Sequence, residues 1–147
     1  EMLFKEIHIG DLIKERIAEV GIETSHLCTA LRISENQLQS VLANPAIDTD
    51  TLLKVSKILD YDFFRCYSQH LILYAPLSAK KKTDKPKLPV FRKNIYTQEI
   101  IQFILEQLRT EKMSKTAVME RYNIPKTTLY KWISKYDHVV EQPNHLR

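Results

Sequence analysis

Apolar residues recur every three to four positions along almost the whole chain, which is the period of an amphipathic α-helix. In the first clear example, residues 9–21, one stripe holds Ile9, Leu12, Ile13, Ile17 and Val20. Gly21 follows that stripe and favours a helix end there. Stretches with the alternating pattern of a β-strand are scarce. The pattern therefore predicts an all-α fold.

Four more helices are predicted in the first half of the chain. One falls within residues 22–33, and the next is Ser34–Ala43, for which Ser34 is a good N-cap. Asp48 or Thr49 caps a fourth helix. The apolar stretch FFRCYSQHLILYAP at residues 63–76 predicts a fifth helix, although its end could be extended. The first half is therefore expected to be a five-helix unit.

Three helices are predicted in the second half of the chain. The first spans residues 96–112, with Thr97 as a plausible cap. Residues 114–136 follow as two short helices joined at Asn123, because Asn tolerates the left-handed conformation of a sharp turn. Pro125 presets φ where the last helix begins. This is the pattern of a helix-turn-helix, in which the second helix lies in a DNA major groove.

The apolar positions of the two halves coincide when one half is offset by 91 residues. The offset places Leu27, Cys28, Leu31, Ile33, Leu38, Val41 and Leu42 onto Val118, Met119, Tyr122, Ile124, Leu129, Trp132 and Ile133. Two helices need this spacing to bury one face against a third. The repeat reflects either that common physics or a duplication.

Charge also divides the chain into two parts. Residues 1–75 contain seven Lys and Arg against eleven Asp and Glu, whereas residues 76–147 contain fifteen against seven. A basic half is the expected electrostatic footprint of a polyanion partner. We therefore predict four segments: a five-helix domain at 1–75, a basic linker at 76–95, a three-helix domain at 96–136 and a tail at 137–147.

The predicted linker combines prolines with positive charge. Residues 75–94 contain three prolines, which stop a helix, and seven Lys and Arg, which repel one another. The segment is either a solvated tether or a basic arm that follows the DNA phosphates. In such an arm, the residues expected to contact phosphates are Lys80, Lys81, Lys82, Arg92 and Lys93.

Composition argues against several other classes. No run approaches the ~18 apolar residues of a membrane span, and no signal-peptide pattern is present. The five histidines show no ligand spacing, Cys28 and Cys66 fit core thiols, and two glycines cannot build a phosphate-binding loop. We expect a cytoplasmic protein with no catalytic residues, metal, cofactor, small-molecule ligand or membrane partner.

Residues 9–62, from IGDLIKERIAEVG to SKILDYD, resemble the Cro/repressor-like (XRE-type) family of helix-turn-helix domains. The resemblance implies a DNA-binding unit, usually dimeric, whose recognition helix is Ser34–Ala43. It places near DNA Thr24, Ser34, Glu35, Asn36, Gln37, Gln39 and Ser40, and Asn and Gln can recognise adenine. Arg32, however, stands where the family commonly has Gly, and this recognition helix has no Lys or Arg. The unit therefore either contacts DNA or serves dimerisation and protein contact.

The stretches YTQEIIQFILEQL and SKTAVMERYNIPKTTLYKWISKY, within residues 96–136, resemble the helix-turn-helix of insertion-sequence transposases and pipsqueak-like domains. The resemblance and the charge together point to a DNA-binding face formed by Lys115, Pro125, Lys126, Thr127, Thr128, Tyr130, Lys131 and Lys135. Thr127, Thr128 and Lys131 are expected to contact bases. Tyr130 fits either a phosphate contact or packing at the rim, and Trp132 fits the core.

These observations predict a sequence-specific binder of double-stranded DNA that forms a homodimer. Its role would be that of a prokaryotic, nucleoid-associated transcription regulator or of an accessory protein of a mobile element. The alternative is a protein-interaction adaptor in which both helix-turn-helix units bind protein. A third possibility is a nuclease or recombinase subunit whose catalytic part lies on another chain.

Overall fold

The computed structural model describes residues 4–76, 87–89 and 96–136. These residues contain eight α-helices and no strand, which confirms the predicted all-α class. The chain forms two compact units, and the division between them falls after Leu71.

The first unit contains five helices, of which the last crosses the division. They are α1 (Ile9–Val20), α2 (Thr24–Leu31), α3 (Glu35–Ala43), α4 (Thr49–Ile58) and α5 (Phe64–Tyr74). Its core is a single cluster of buried side chains, to which Ile13, Leu27, Leu38, Val55 and Phe63 contribute with no more than 1% exposure each. The two cysteines are buried thiols, as predicted.

The backbone at the start of helix α1 is in direct contact with the backbone that follows α3. The N–H groups of Ile9 and Gly10 donate to the carbonyls of Pro45 and Asn44, both at 3.2 Å, so groups that a helix start leaves unpaired find partners. A Cβ on Gly10 would overlap the carbonyl oxygen of Leu42. Glycine is therefore required at this point of α1 for a steric reason.

The predicted helix caps of this unit are confirmed. Ser34 and Gln37 form a reciprocal capping box at the start of α3. The Asp48 carboxylate accepts from the Thr51 N–H at 2.8 Å at the start of α4. Its hydrogen bonds from Thr51 hold the pKa of Asp48 below its usual value. Gly21 ends α1 in the left-handed conformation, with φ of 71°.

The second unit is built on α6 (Gln98–Arg109), α7 (Lys115–Tyr122) and α8 (Lys126–Tyr136). The prediction of a helix through residue 112 was too long. Glu111 adopts a left-handed φ of 55°, and the N–H of Met113 returns to the Gln107 carbonyl at 3.2 Å, so the chain leaves the helix before Ser114 caps α7.

The core of the second unit lies between these three helices. Ile100 and Ile104 of α6, Val118 of α7 and Leu129 of α8 have no measurable exposure. Trp132 is 8% exposed, which confirms the prediction that it is a core residue. The Tyr96 ring meets the Trp132 ring edge-on, with centroids 4.7 Å apart. The last helix is thus held by one apolar face, together with a hydrogen bond that the Tyr136 hydroxyl donates to Gln98 Oε1 at 3.2 Å.

Residues 72–76 belong to the second unit by their contacts. The Tyr74 ring meets the Phe103 ring edge-on at 6.4 Å. Arg121 of α7 donates from its guanidinium to the Ala75 carbonyl at 3.0 Å. Arg121 is therefore occupied by a contact inside the unit.

Candidate nucleic-acid interface

The turn between α7 and α8 has the geometry that the sequence predicted. Asn123 adopts a left-handed φ of 51°, and the N–H of Ile124 donates to the Met119 carbonyl at 3.1 Å. Pro125 comes directly before the first residue of α8. Because the turn is this tight, the start of α8 lies beside the end of α7 and the outer face of α8 stays open.

The outer face of α8 is one continuous exposed half of the helix. Successive side chains on a helix are about 100° apart. At that spacing the exposed positions fill about 180° of the circumference; they are Lys126, Thr127, Tyr130, Lys131, Ser134 and Lys135. Leu129 and Trp132 on the other half are buried. Thr128 is half-buried at the border, so it is less accessible than the other predicted base contacts.

The structure adds Ser134 to the residues singled out from the sequence. Thr127 and Ser134 lie close to the midline of the exposed half, with the lysines towards its two edges. Thr127 and Ser134 are seven residues apart, which corresponds to about 10 Å along the helix axis. That length equals roughly three base-pair steps of DNA. The periodicity of the apolar positions could have identified Ser134, because it lies opposite the buried stripe that ends at Trp132.

Three lysines of α7 and α8 contact aromatic rings instead of carboxylates. The Nζ atom of Lys115 lies 5.1 Å from the centroid of the Tyr130 ring, and that of Lys126 lies 5.5 Å from the same centroid. Lys135 stands in the same way over Tyr136, at 5.3 Å. None of the six ion pairs found among the described residues involves α7 or α8.

Lys131 differs from the other lysines of this face because, among the described residues, its ammonium lies over no aromatic ring, and like theirs it has no carboxylate partner. An exposed cation without a carboxylate partner is available to a phosphate or a base edge at little cost. The outer half of α8 can therefore offer cations at its edges and hydroxyl groups near its midline.

Two other tyrosines of the second unit are held inside it. Burial raises the pKa of Tyr122, against a smaller opposite effect of the Arg121 charge, and burial alone raises the pKa of Tyr96. Tyr130, by contrast, is 43% exposed. Among these tyrosines, Tyr130 is the one presented to a partner.

The predicted residues of the first unit also lie at the surface. Thr24 begins α2, and Asn36, Gln37, Gln39 and Ser40 are exposed on α3. Their side chains are partly used locally: Gln37 Oε1 accepts from the Ser34 N–H at 2.9 Å, and Ser40 Oγ donates to the Asn36 carbonyl at 3.1 Å. A role of this surface in DNA contact stays a prediction.

The remaining predictions concern other parts of the chain. The linker residues proposed to contact phosphates, which are Lys80, Lys81, Lys82, Arg92 and Lys93, lie outside the described residues. Within the described ranges, no group of His, Cys, Asp and Glu side chains is arranged to hold a metal ion. No helix there is long and apolar enough to cross a membrane.

Comparison with known families bears on the second unit. Residues 99–142 match the family model described as the CENP-B N-terminal DNA-binding domain. That family is a helix-turn-helix of the pipsqueak-like type, so the match confirms the predicted helix-turn-helix and the pipsqueak-like resemblance of the second half. The resemblance to insertion-sequence transposases stays a prediction. The search of curated proteins and the search of solved structures found no match. The resemblance of the first half to Cro/repressor-like domains stays a prediction, because residues 1–98 lie outside the match.

Proposed function

We propose that this chain binds double-stranded DNA sequence-specifically, with α8 in the major groove. One observation supports this most strongly: the open half of α8 bears Lys126, Lys131 and Lys135, none of them paired with a carboxylate among the described residues. Displacing counterions from phosphates supplies most of the affinity of such a surface. The matched family, which is described as a DNA-binding domain, supports the same reading.

The position of each residue on the outer face of α8 determines whether it contacts a base or a phosphate. Thr127 and Lys131, with a smaller share for Thr128, contact base edges, and the lysines towards the edges contact phosphates. Ser134 joins the base contacts because it lies near the midline with Thr127. Basic residues of the linker extend the phosphate contacts beyond α8.

The first unit has a different part in this proposal. It forms a homodimer or contacts a second half-site through α3, as its resemblance to Cro/repressor-like domains implies. Four of its cations already pair with carboxylates: Lys14 with Asp11, Arg16 with Glu19, Lys54 with Asp50 and Arg65 with Asp62. It therefore adds less to phosphate affinity than the second unit does.

The cellular role follows from the resemblances alone. The chain acts as a transcription regulator or as an accessory DNA-binding protein of a mobile element, and it has no catalytic function of its own. A prokaryotic, nucleoid-associated setting is part of the same proposal. The decisive step is to obtain the DNA target.

The experiment is selection of the full-length chain against a random duplex library, followed by binding measurements on the enriched duplex over a range of salt concentrations. Lys135→Ala, at a lysine assigned to phosphate, should flatten the log–log dependence of the binding constant on salt by up to about 0.9, one phosphate contact. Lys57→Ala, an exposed lysine of α4 in the first unit, is the charge-matched control and should leave the slope unchanged. Failure to enrich any duplex, or equal slopes in all three proteins, would contradict the proposal.

A protein-interaction adaptor is the alternative, and the first unit contains an observation in its favour. Leu53 and Tyr61, 45% and 43% exposed, line an open groove of about 470 Å³ together with Phe64. Exposed apolar surface of this kind is common at protein contacts. An adaptor would show no salt-dependent mobility shift with any duplex and would capture a discrete protein partner.

A further inference from the structure

We propose that the ring of Tyr130 is a positioning group that holds Lys115 and Lys126 on one and the same backbone phosphate. This inference rests on the proposed function, because it assigns a role within the same DNA-binding face. In it, Tyr130 acts through its ring and not through its hydroxyl group. The three residues are called the Tyr130 cluster below.

The geometry of the cluster supports a shared target. Lys115 comes from the first turn of α7 and Lys126 from the first turn of α8, yet both ammonium groups lie against one ring, at 5.1 and 5.5 Å from its centroid. Two cations would repel one another at such a place without a counter-charge, and the ring's negative face offsets part of this repulsion. In the proposed complex, both cations contact the phosphate that lies nearest to Tyr130.

Packing helps to direct Lys115 towards this place. The residue lines a cavity of about 200 Å³ together with Leu105, Leu108, Arg109 and Ile133. An aliphatic lysine stem can cover apolar surface of this kind while its ammonium remains in water. With the stem placed along the cavity and the ammonium over Tyr130, Lys115 loses little conformational freedom when a phosphate binds.

The first unit has no equivalent of the cluster. At the offset of 91 residues, Lys115, Lys126 and Tyr130 correspond to Thr24, Glu35 and Gln39. The corresponding turn is present there, so the fold alone does not require the cluster. The difference lies entirely in side chains that α7 and α8 present to the outside, as expected for a binding role.

The test uses the full-length chain on the duplex enriched by selection. Tyr130→Phe keeps the ring and should leave affinity within about twofold of the wild-type value. Tyr130→Leu removes the ring and should weaken binding by about three- to tenfold, the range expected for exposed cation–π contacts. If Tyr130→Phe weakens binding as much as Tyr130→Leu, the hydroxyl group is what matters and the proposal is wrong.

A second comparison separates positioning from direct contact. In a Lys115→Ala/Lys126→Ala background, Tyr130→Leu should have no further effect on affinity, because the ring has no cations left to place. The double-lysine variant itself should flatten the salt dependence by about 0.9, one shared phosphate. A further loss from Tyr130→Leu in that background, or a slope change of about 1.8 in the double-lysine variant, would overturn the shared-phosphate assignment.

The phosphate itself can be located by replacing single phosphates of the duplex with neutral methylphosphonates. At one position, wild-type protein should lose affinity while the double-lysine variant loses none. Absence of any such position would overturn the proposal. These outcomes also differ from failure of the proposed function: if Lys131→Ala weakens binding and Tyr130→Leu does not, only the cluster is refuted, whereas absence of salt-dependent binding in the wild type refutes both.

Discussion

The helix-turn-helix of the first unit and that of the second unit share a backbone and differ in surface. Arg32 and Asn123, 91 residues apart, both adopt the left-handed conformation, with φ of 56° and 51°. In both turns the next N–H, of Ile33 or Ile124, donates at 3.1 Å to the carbonyl five residues earlier. The exposed faces differ in charge at corresponding positions: α3 begins with Glu35 where α8 begins with Lys126.

The residues that build a helix-turn-helix are therefore separate from the residues that select its partner. Leu27 and Leu38 in one unit, and Val118 and Leu129 in the other, are at most 1% exposed and hold the helices together. The outer positions are free to vary, because they do not contribute to the core. A match in the apolar pattern therefore predicts architecture, and only the outer side chains indicate the partner.

The largest expected effect tests the shared architecture. Leu38→Ala and Leu129→Ala occupy corresponding core positions, 1% and 0% exposed, and each should lower the free energy of unfolding by about 3 kcal/mol. Urea unfolding followed by circular dichroism measures this. Leu53→Ala, at a residue 45% exposed, is the control and should cost less than about 1 kcal/mol. A small effect of Leu129→Ala alone would show that the two cores are not equivalent.

The second prediction concerns a place where the two units differ in packing. Gly10 corresponds to Ile101 at the offset of 91 residues, so the second unit carries a large side chain where an added Cβ in the first unit would overlap the Leu42 carbonyl. Gly10→Ala should destabilise the first unit by about 2–3 kcal/mol, because a backbone carbonyl cannot move aside as a side chain can. Thermal unfolding of the full chain measures the effect. An unchanged unfolding midpoint would mean that α1 and α3 can separate without cost.

The third prediction exchanges the charges that distinguish the recognition helices. Lys126→Glu should weaken DNA binding by about tenfold or more at moderate salt, because it replaces an attraction to phosphate with a repulsion. Glu35→Lys makes the opposite change in α3. If only the second unit contacts DNA, Glu35→Lys should leave affinity for the enriched duplex nearly unchanged, as measured by fluorescence anisotropy. A clear gain from Glu35→Lys would place α3 at the DNA as well.

The smallest expected effect concerns the turns. Left-handed φ costs most residues about 1 kcal/mol, and Asn less, whereas Gly adopts it freely. Arg32→Gly should therefore stabilise the first unit by up to about 1 kcal/mol, while Asn123→Gly should change the second by only a few tenths. Both effects are measurable as shifts of the urea midpoint. Destabilisation by Arg32→Gly would reveal a contact of the arginine side chain that stabilises the turn.

Much of the candidate site could be predicted from local sequence. The turn at Asn123 and the burial of Trp132 depend on residues a few positions apart, so propensity and periodicity were sufficient. The end of α6 was not predictable in this way, because nothing in the composition of residues 110–112 excludes a helix. The helix ends at Arg109, and beyond its end the N–H of Met113 donates a hydrogen bond to the Gln107 carbonyl.

Local sequence patterns specify the helical class, the two turns 91 residues apart and the contrast between an acidic and a basic half. Each depends on residue type and on spacing along the chain. The packing of the helices, in contrast, brings Lys115 and Lys126 from different helices to the ring of Tyr130 and places Gly10 against the carbonyl of Leu42. Such contacts depend on how helices are brought together by burial of their apolar faces, which no local pattern specifies.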